Sequence, residues 1–166
     1  MALTAADAGD LYRRVLRDVL TTDSAGGSLD GAPDAVVWHD AGAELLLVPG
    51  RVELAVDDGL VLVTLPVFTE QTGEADVVVP FAAGAPNAPA GLALATWSRP
   101  SGPAAVLDRW SEPLISVTWN ALLALAAEAV APAAPSALTA ARSRLIIESA
   151  TAAGAPPADA ATGSAP

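Results

Sequence analysis

Residues 52–65 read VELAVDDGLVLVTL, and this stretch decides the fold. Asp58-Gly59 is a two-residue turn pair whose backbone twist suits the right-handed twist of the strands on either side. Counting outward from it sets Val56 opposite Val61, Leu54 opposite Val63 and Val52 opposite Leu65, an uninterrupted apolar face, with Glu53 opposite Thr64 on the other. The hairpin therefore predicts the nucleus of an antiparallel sheet with one buried side. A looser turn at Glu70 to Gly73 leads Val67-Phe68 into Val77-Val78-Val79 and extends the hairpin to a meander. Further strands are expected at 36–39, 44–48, 76–81 and 92–97, and a last one over 104–110. Pro49, Pro66 and Pro80 interrupt or end strands, because proline cannot donate to a ladder.

Helices flank this sheet. Thr4 followed by Asp7 is a variant capping box, and Leu11, Val15, Leu16 and Val19 continue at helical spacing, which predicts an amphipathic helix over about residues 5–20. Asp10–Arg14 and Arg14–Asp18 are i,i+4 pairs of opposite sign that mark its wet face. The stretch from Thr21 to Asp34 reads as a loop. Its window from Asp23 has the length of a calcium-binding loop, but Ala25 and Gly27 stand where ligands belong. Ser111 as cap, Glu112 in the first turn and Pro113 at an early position mark the start of a second helix, which should run to about Val130 and stop before Pro132. Asn120 and Glu128 are its only strongly polar members, so it is expected to lie against the sheet or against another subunit. Beyond Pro135, Leu138, Ala141, Leu145 and Ile146 form a helical stripe, and residues 151–166 contain only small residues with Pro, Thr and Asp.

The expected architecture is α+β: an N-terminal helix, an antiparallel β-meander of five to seven strands, a long apolar C-terminal helix packed on the sheet, and a disordered tail. One globular domain is expected over 1–131, a linker and short amphipathic helix over 132–150, and an Ala/Pro/Gly-rich disordered tail over 151–166.

Composition narrows function mainly by exclusion. The chain has no Cys, no Lys and a single His, at position 39, which removes thiol nucleophiles, Schiff-base and P-loop lysines and multi-histidine metal centres. No metal or cofactor is expected. The formal charge is −11, and the first 131 residues carry 6 Arg against 17 acids. Such a surface repels phosphate backbones, so neither nucleic acid nor an anionic membrane is an expected partner, whereas basic partners are favoured. Residues 1–10 have neither a basic n-region nor an apolar h-region, and no disulfide can form, so a cytoplasmic location is expected. The span from Leu114 to Ala131 approaches the length of a membrane helix but holds Asn120 and Glu128 and lacks basic flanks; it reads as a core helix.

His39 is the one candidate imidazole base. On a strand it projects with Val37, away from Trp38 and Asp40, so the adjacent acid does not face it, and no nucleophile elbow occurs in the chain. Asp57-Asp58 is explained by turn chemistry. The unusual constellation is Trp97, Arg99, Arg109 and Trp110, on the two sides of a Pro-Ser-Gly-Pro turn. Pairing of 92–97 with 104–110 would bring together residue types enriched at binding hot spots, so these four are the candidate interaction residues. The expected function is a non-catalytic protein-interaction or assembly module that binds another protein or itself, as an accessory subunit, adaptor or chaperone-like component. The alternative is a binder of a small apolar ligand held between sheet and helix, and a hydrolase using His39 is the residual enzymatic reading.

Overall fold

The computed structural model of the chain describes residues 1–23, 27–29, 32–40, 42–84, 92 and 99–150. Its elements run β1 (Ala2–Thr4), α1 (Ala5–Asp23), β2 (Gly27–Leu29), β3 (Ala32–Asp40), β4 (Ala43–Leu47), a 3-10 turn (Pro49–Arg51), β5 (Glu53–Asp57), β6 (Leu60–Thr69), β7 (Gly73–Ala82), α2 (Ala104–Val130), β8 (Pro135–Ala141) and β9 (Arg144–Ser149). The α+β class, the N-terminal helix, the antiparallel strands and the long apolar helix packed on them are all present. The expected tail, 151–166, and the expected strand at 92–97 lie outside the described residues, apart from Leu92.

The large sheet is antiparallel and is built around β6. On one side β6 pairs with β7 along its whole length, from Leu60↔Ala82 to Thr69↔Gly73. On its other side β5 takes the first half and β4 meets Val67 and Phe68, the two being separated by the 3-10 turn. Pro49 begins that turn, where a missing amide donor costs least. The register follows the predicted turn: Val56↔Val61, Leu54↔Val63 and Glu53↔Thr64. Val52 is buried but has left the ladder to end the 3-10 turn. Outside β4 lie β3 and then β2.

One face of this sheet is dry. Val61, Val63, Leu65 and Val67 of β6, with Val77, Val79 and Phe81 of β7, are buried beneath α1 and α2. Thr4 caps α1 as the sequence predicts, accepting from the Asp7 amide at 3.2 Å and donating to the Asp7 carboxylate at 2.7 Å. The α1 arginines differ from expectation. Arg13 pairs with Asp10 and also donates to the Val52 carbonyl at 3.2 Å, Arg14 reaches Glu128 on α2, and Arg17 reaches Asp34 on β3, so all three stitch α1 to other elements rather than only decorate one helix face.

Three corrections concern the C-terminal half. First, Ala104–Trp110 is not a strand but the opening of α2, which continues through Pro113. Val106, Trp110, Leu114, Val117, Ala121 and Leu125 are all buried and stand three or four residues apart, so one helical stripe runs through the proline. Second, 136–149 is not a helix but the β8–β9 hairpin, joined by Arg142 and Ser143, both at positive φ (52° and 57°). Third, the expected domain limit at 131 does not bound the core. β9 pairs with β1, and Leu138, Ala140, Leu145 and Ile147 belong to the same buried cluster as α1, α2 and the large sheet.

The C-terminal hairpin is fixed by backbone contacts that also explain the Asp58-Gly59 turn more fully. Gly59 donates to the Ala140 carbonyl (2.7 Å), Ala140 donates to Ala83 (2.8 Å) and Ala83 donates to Gly59 (3.0 Å), a closed ring joining three segments. Asp58 accepts the Arg142 amide at 2.5 Å, so its side chain holds the tip of the second hairpin. Gly59 alone has positive φ (73°), where a type I′ turn would need both central residues there. At Gly84 (φ 76°) a Cβ would fall 2.5 Å from the Thr139 methyl, so any other residue there must strain the backbone and displace Thr139.

Candidate interaction surface

Of the four residues singled out by the sequence, Arg99, Arg109 and Trp110 are among the described residues. Trp110 is 2% exposed and its ring lies 5.4 Å from that of Trp38, tilted by 45°, between sheet and helix. Arg99 and Arg109 are both exposed, Arg109 on the first turns of α2 and Arg99 before the segment that joins β7. That segment meets β7 through reciprocal bonds between Val78 and Ser101 (2.8 and 3.0 Å). Trp97 lies outside the described residues. The proposed pairing of 92–97 with a strand at 104–110 is precluded because 104–110 is helical.

His39 is a half-exposed residue near the end of β3. Its Nδ1 lies 3.3 Å from Glu44 Oε1, its cross-strand partner in the β3–β4 register. The acid facing the imidazole thus comes from the neighbouring strand and not from Asp40, which sequence adjacency alone does not reveal. Among the described residues no hydroxyl is hydrogen-bonded to the ring. At the centre of the sheet–helix interface Leu65, Val79, Phe81, Leu122 and Leu125 are all fully buried.

The surface that stands out is the other side of the large sheet. Strand alternation that buries Val61, Val63, Leu65 and Val67 turns Leu60, Leu62, Thr64, Pro66 and Phe68 outward along β6. The register carries Phe68 sideways into a row of four strands, Val37↔Leu46↔Phe68↔Glu74. Leu60, Leu62 and Pro66 are half-buried by one another and their neighbours, while Phe68 is 46% exposed, one of only two large hydrophobic residues so exposed among the described residues. Where β6 ends, the Thr69 and Thr72 hydroxyls bond each other at 2.7 Å and Thr69 accepts the Thr72 amide, which fixes the turn carrying Glu70. Between this turn, Leu46, Phe68, Glu44 and the start of α2 lies an open cleft of about 760 Å³.

Carboxylates line both sides of the apolar strip. Glu53 and Asp57 of β5 and Glu44 of β4 flank it on one side; Glu74 and Asp76 of β7 flank it on the other. Basic groups stand beside some of them: Arg51 is engaged with Glu74 at 2.5 Å, His39 faces Glu44, and Arg13 borders a groove with Glu53 and Asp76. Sequence reasoning passed over these residues although the signal was present: counting alternate positions from Asp58-Gly59 puts Leu60, Leu62, Pro66 and Phe68 on the face opposite the core.

No protein-family model, no curated protein and no solved structure matches this chain.

Proposed function

We propose that the chain is a non-catalytic protein-interaction or assembly module, and that it docks through the outer face of its large sheet. The observation that carries this reading is the strip Leu46, Leu62, Pro66 and Phe68, apolar side chains on the outer face, half-buried except for the exposed Phe68, of a sheet whose opposite face lies in the hydrophobic core. Contiguous exposed apolar surface rimmed by polar groups is the usual mark of a binding face, since leaving it in water forgoes about 25 cal/mol per Å². Supporting it is the chemistry of the chain, with no thiol, no amine side chain and its one imidazole paired at the surface with Glu44.

The test is affinity capture from a lysate of the source cell with the wild-type chain and with Phe68→Gln, after both are shown to melt alike. A partner held by the first and lost by the second supports the reading. Identical capture profiles, together with a monomeric mass for both, overturn it.

A further inference from the structure

We infer that the occupant of this face is a segment of a different protein that is both apolar and basic, with Leu-like side chains lying along β6 and Lys or Arg on each side of them. This rests on the reading of the outer face as a docking surface and adds the chemistry of the partner. The strip on β6 is flanked by Glu44, Glu53 and Asp57 on one side and by Glu74 and Asp76 on the other. A complementary segment therefore needs a central apolar row and positive charge on both borders, the pattern of a basic amphipathic strand or helix. A second copy of this chain is the wrong occupant by the same argument. Two such faces brought together would oppose carboxylates to carboxylates, on molecules that each carry −11. The cleft of about 760 Å³ at the Phe68 end, between Glu44 and Glu70, is where the largest apolar side chain of the segment is expected to enter.

The test titrates the full chain with three amphipathic peptides of about 18 residues, identical except that their polar positions are all Lys, all Gln or all Glu. Two charge-matched variants accompany the wild type. One is Glu53→Gln/Glu74→Gln/Asp76→Asn on the outer face; the other is Asp18→Asn/Glu112→Gln/Glu148→Gln away from it. The expected result is that the Lys peptide binds at least about tenfold tighter than the Gln peptide and that binding weakens as salt rises. The outer-face variant should lose most of that advantage while the other keeps it. Equal binding of the Lys and Gln peptides, both lost in Phe68→Gln, overturns the basic partner while leaving the docking face in place. Equal losses in the two charge variants, or no binding by any peptide, also overturn the inference. So does a concentration-dependent dimer that Phe68→Gln converts to monomer, and that result keeps the docking face but assigns it to a second copy.

Discussion

The Tyr12 hydroxyl donates a 3.0 Å hydrogen bond to the main-chain carbonyl of Thr118, joining α1 to α2 at a point where both residues are fully buried. Thr118 in turn points its own hydroxyl back to the Leu114 carbonyl at 2.5 Å, one helical turn earlier. Such back-bonding satisfies the buried hydroxyl and tends to bend a helix. The contact sits just over one turn beyond Pro113, which has no amide hydrogen to donate to the helix. The inter-helix register is thus pinned next to the weakest part of α2.

Burial pushes the Tyr12 hydroxyl well above its ordinary value of 10.0, and the sign of the consequence follows. The folded protein keeps this proton at a pH where the unfolded chain releases it. The contribution is therefore complete below about pH 10 and is lost as pH rises from there through the folded value, at about 1.4 kcal/mol per pH unit. Tyr12→Phe should cost about 1 kcal/mol at neutral pH, the net worth of a typical hydrogen bond, and should remove this part of the alkaline slope. Urea melts at a series of pH values check both; an unchanged alkaline slope in Tyr12→Phe contradicts the assignment.

A second prediction concerns the tip of the C-terminal hairpin. Arg142 and Ser143 both occupy the left-handed region, which costs a residue with a Cβ about 1 kcal/mol. Ser143→Gly should therefore stabilise the protein by up to about 0.5 kcal/mol, the relief of strain being partly offset by the more flexible unfolded chain. Chemical denaturation reads it directly. A loss of stability would show that the serine makes a contact that outweighs the strain.

Gly84 offers the converse case. Gly84→Ala should destabilise by about 2–4 kcal/mol, through the left-handed backbone and through overlap with the Thr139 methyl. Adding Thr139→Ala should recover the overlap but not the backbone part. A double-mutant cycle separates the two, and strictly additive effects would contradict the proposed close approach.

These positions also show how far the sequence could be read. The meander was legible because Asp58-Gly59 fixes an origin and strands alternate with period two, so every residue of 53–69 follows from one count. The start of α2 was missed because Ser111-Glu112-Pro113 has the chemistry of a helix start, whereas the true first turn, Ala104–Leu107, carries no capping side chain. The 3.6-residue spacing of Val106, Trp110 and Leu114 held the correct answer. The β8–β9 hairpin was hidden for a different reason. Its apolar residues fit period two and period 3.6 alike over so short a span, and its turn is Arg-Ser, where a sequence signal would be Asn-Gly. Its strain is offset by tertiary bonds from Asp58 and Ala83, which no local pattern reports. The same helix boundary decides Trp110, which the sequence reading sets on a strand beside Arg109 and which α2 turns into the core.

The outer face makes its own stability prediction. Phe68 is half-exposed, so Phe68→Gln should change stability by no more than about 0.5 kcal/mol, whereas Trp110→Ala, at the buried Trp38–Trp110 contact, should cost about 3–5 kcal/mol. Thermal melts of the two variants side by side check this. A large loss for Phe68→Gln would mean that the residue serves folding and not docking.

Hydroxyl-radical footprinting of Phe68 tests the central claim most directly, with Met1, which is 64% exposed, as internal reference. The account predicts that Phe68 is oxidised readily in the purified chain and is protected several-fold when the chain is footprinted in complex with the partner it captures. Equal oxidation of Phe68 in the two states, with the complex verified by mass, would place the interaction elsewhere and contradict it.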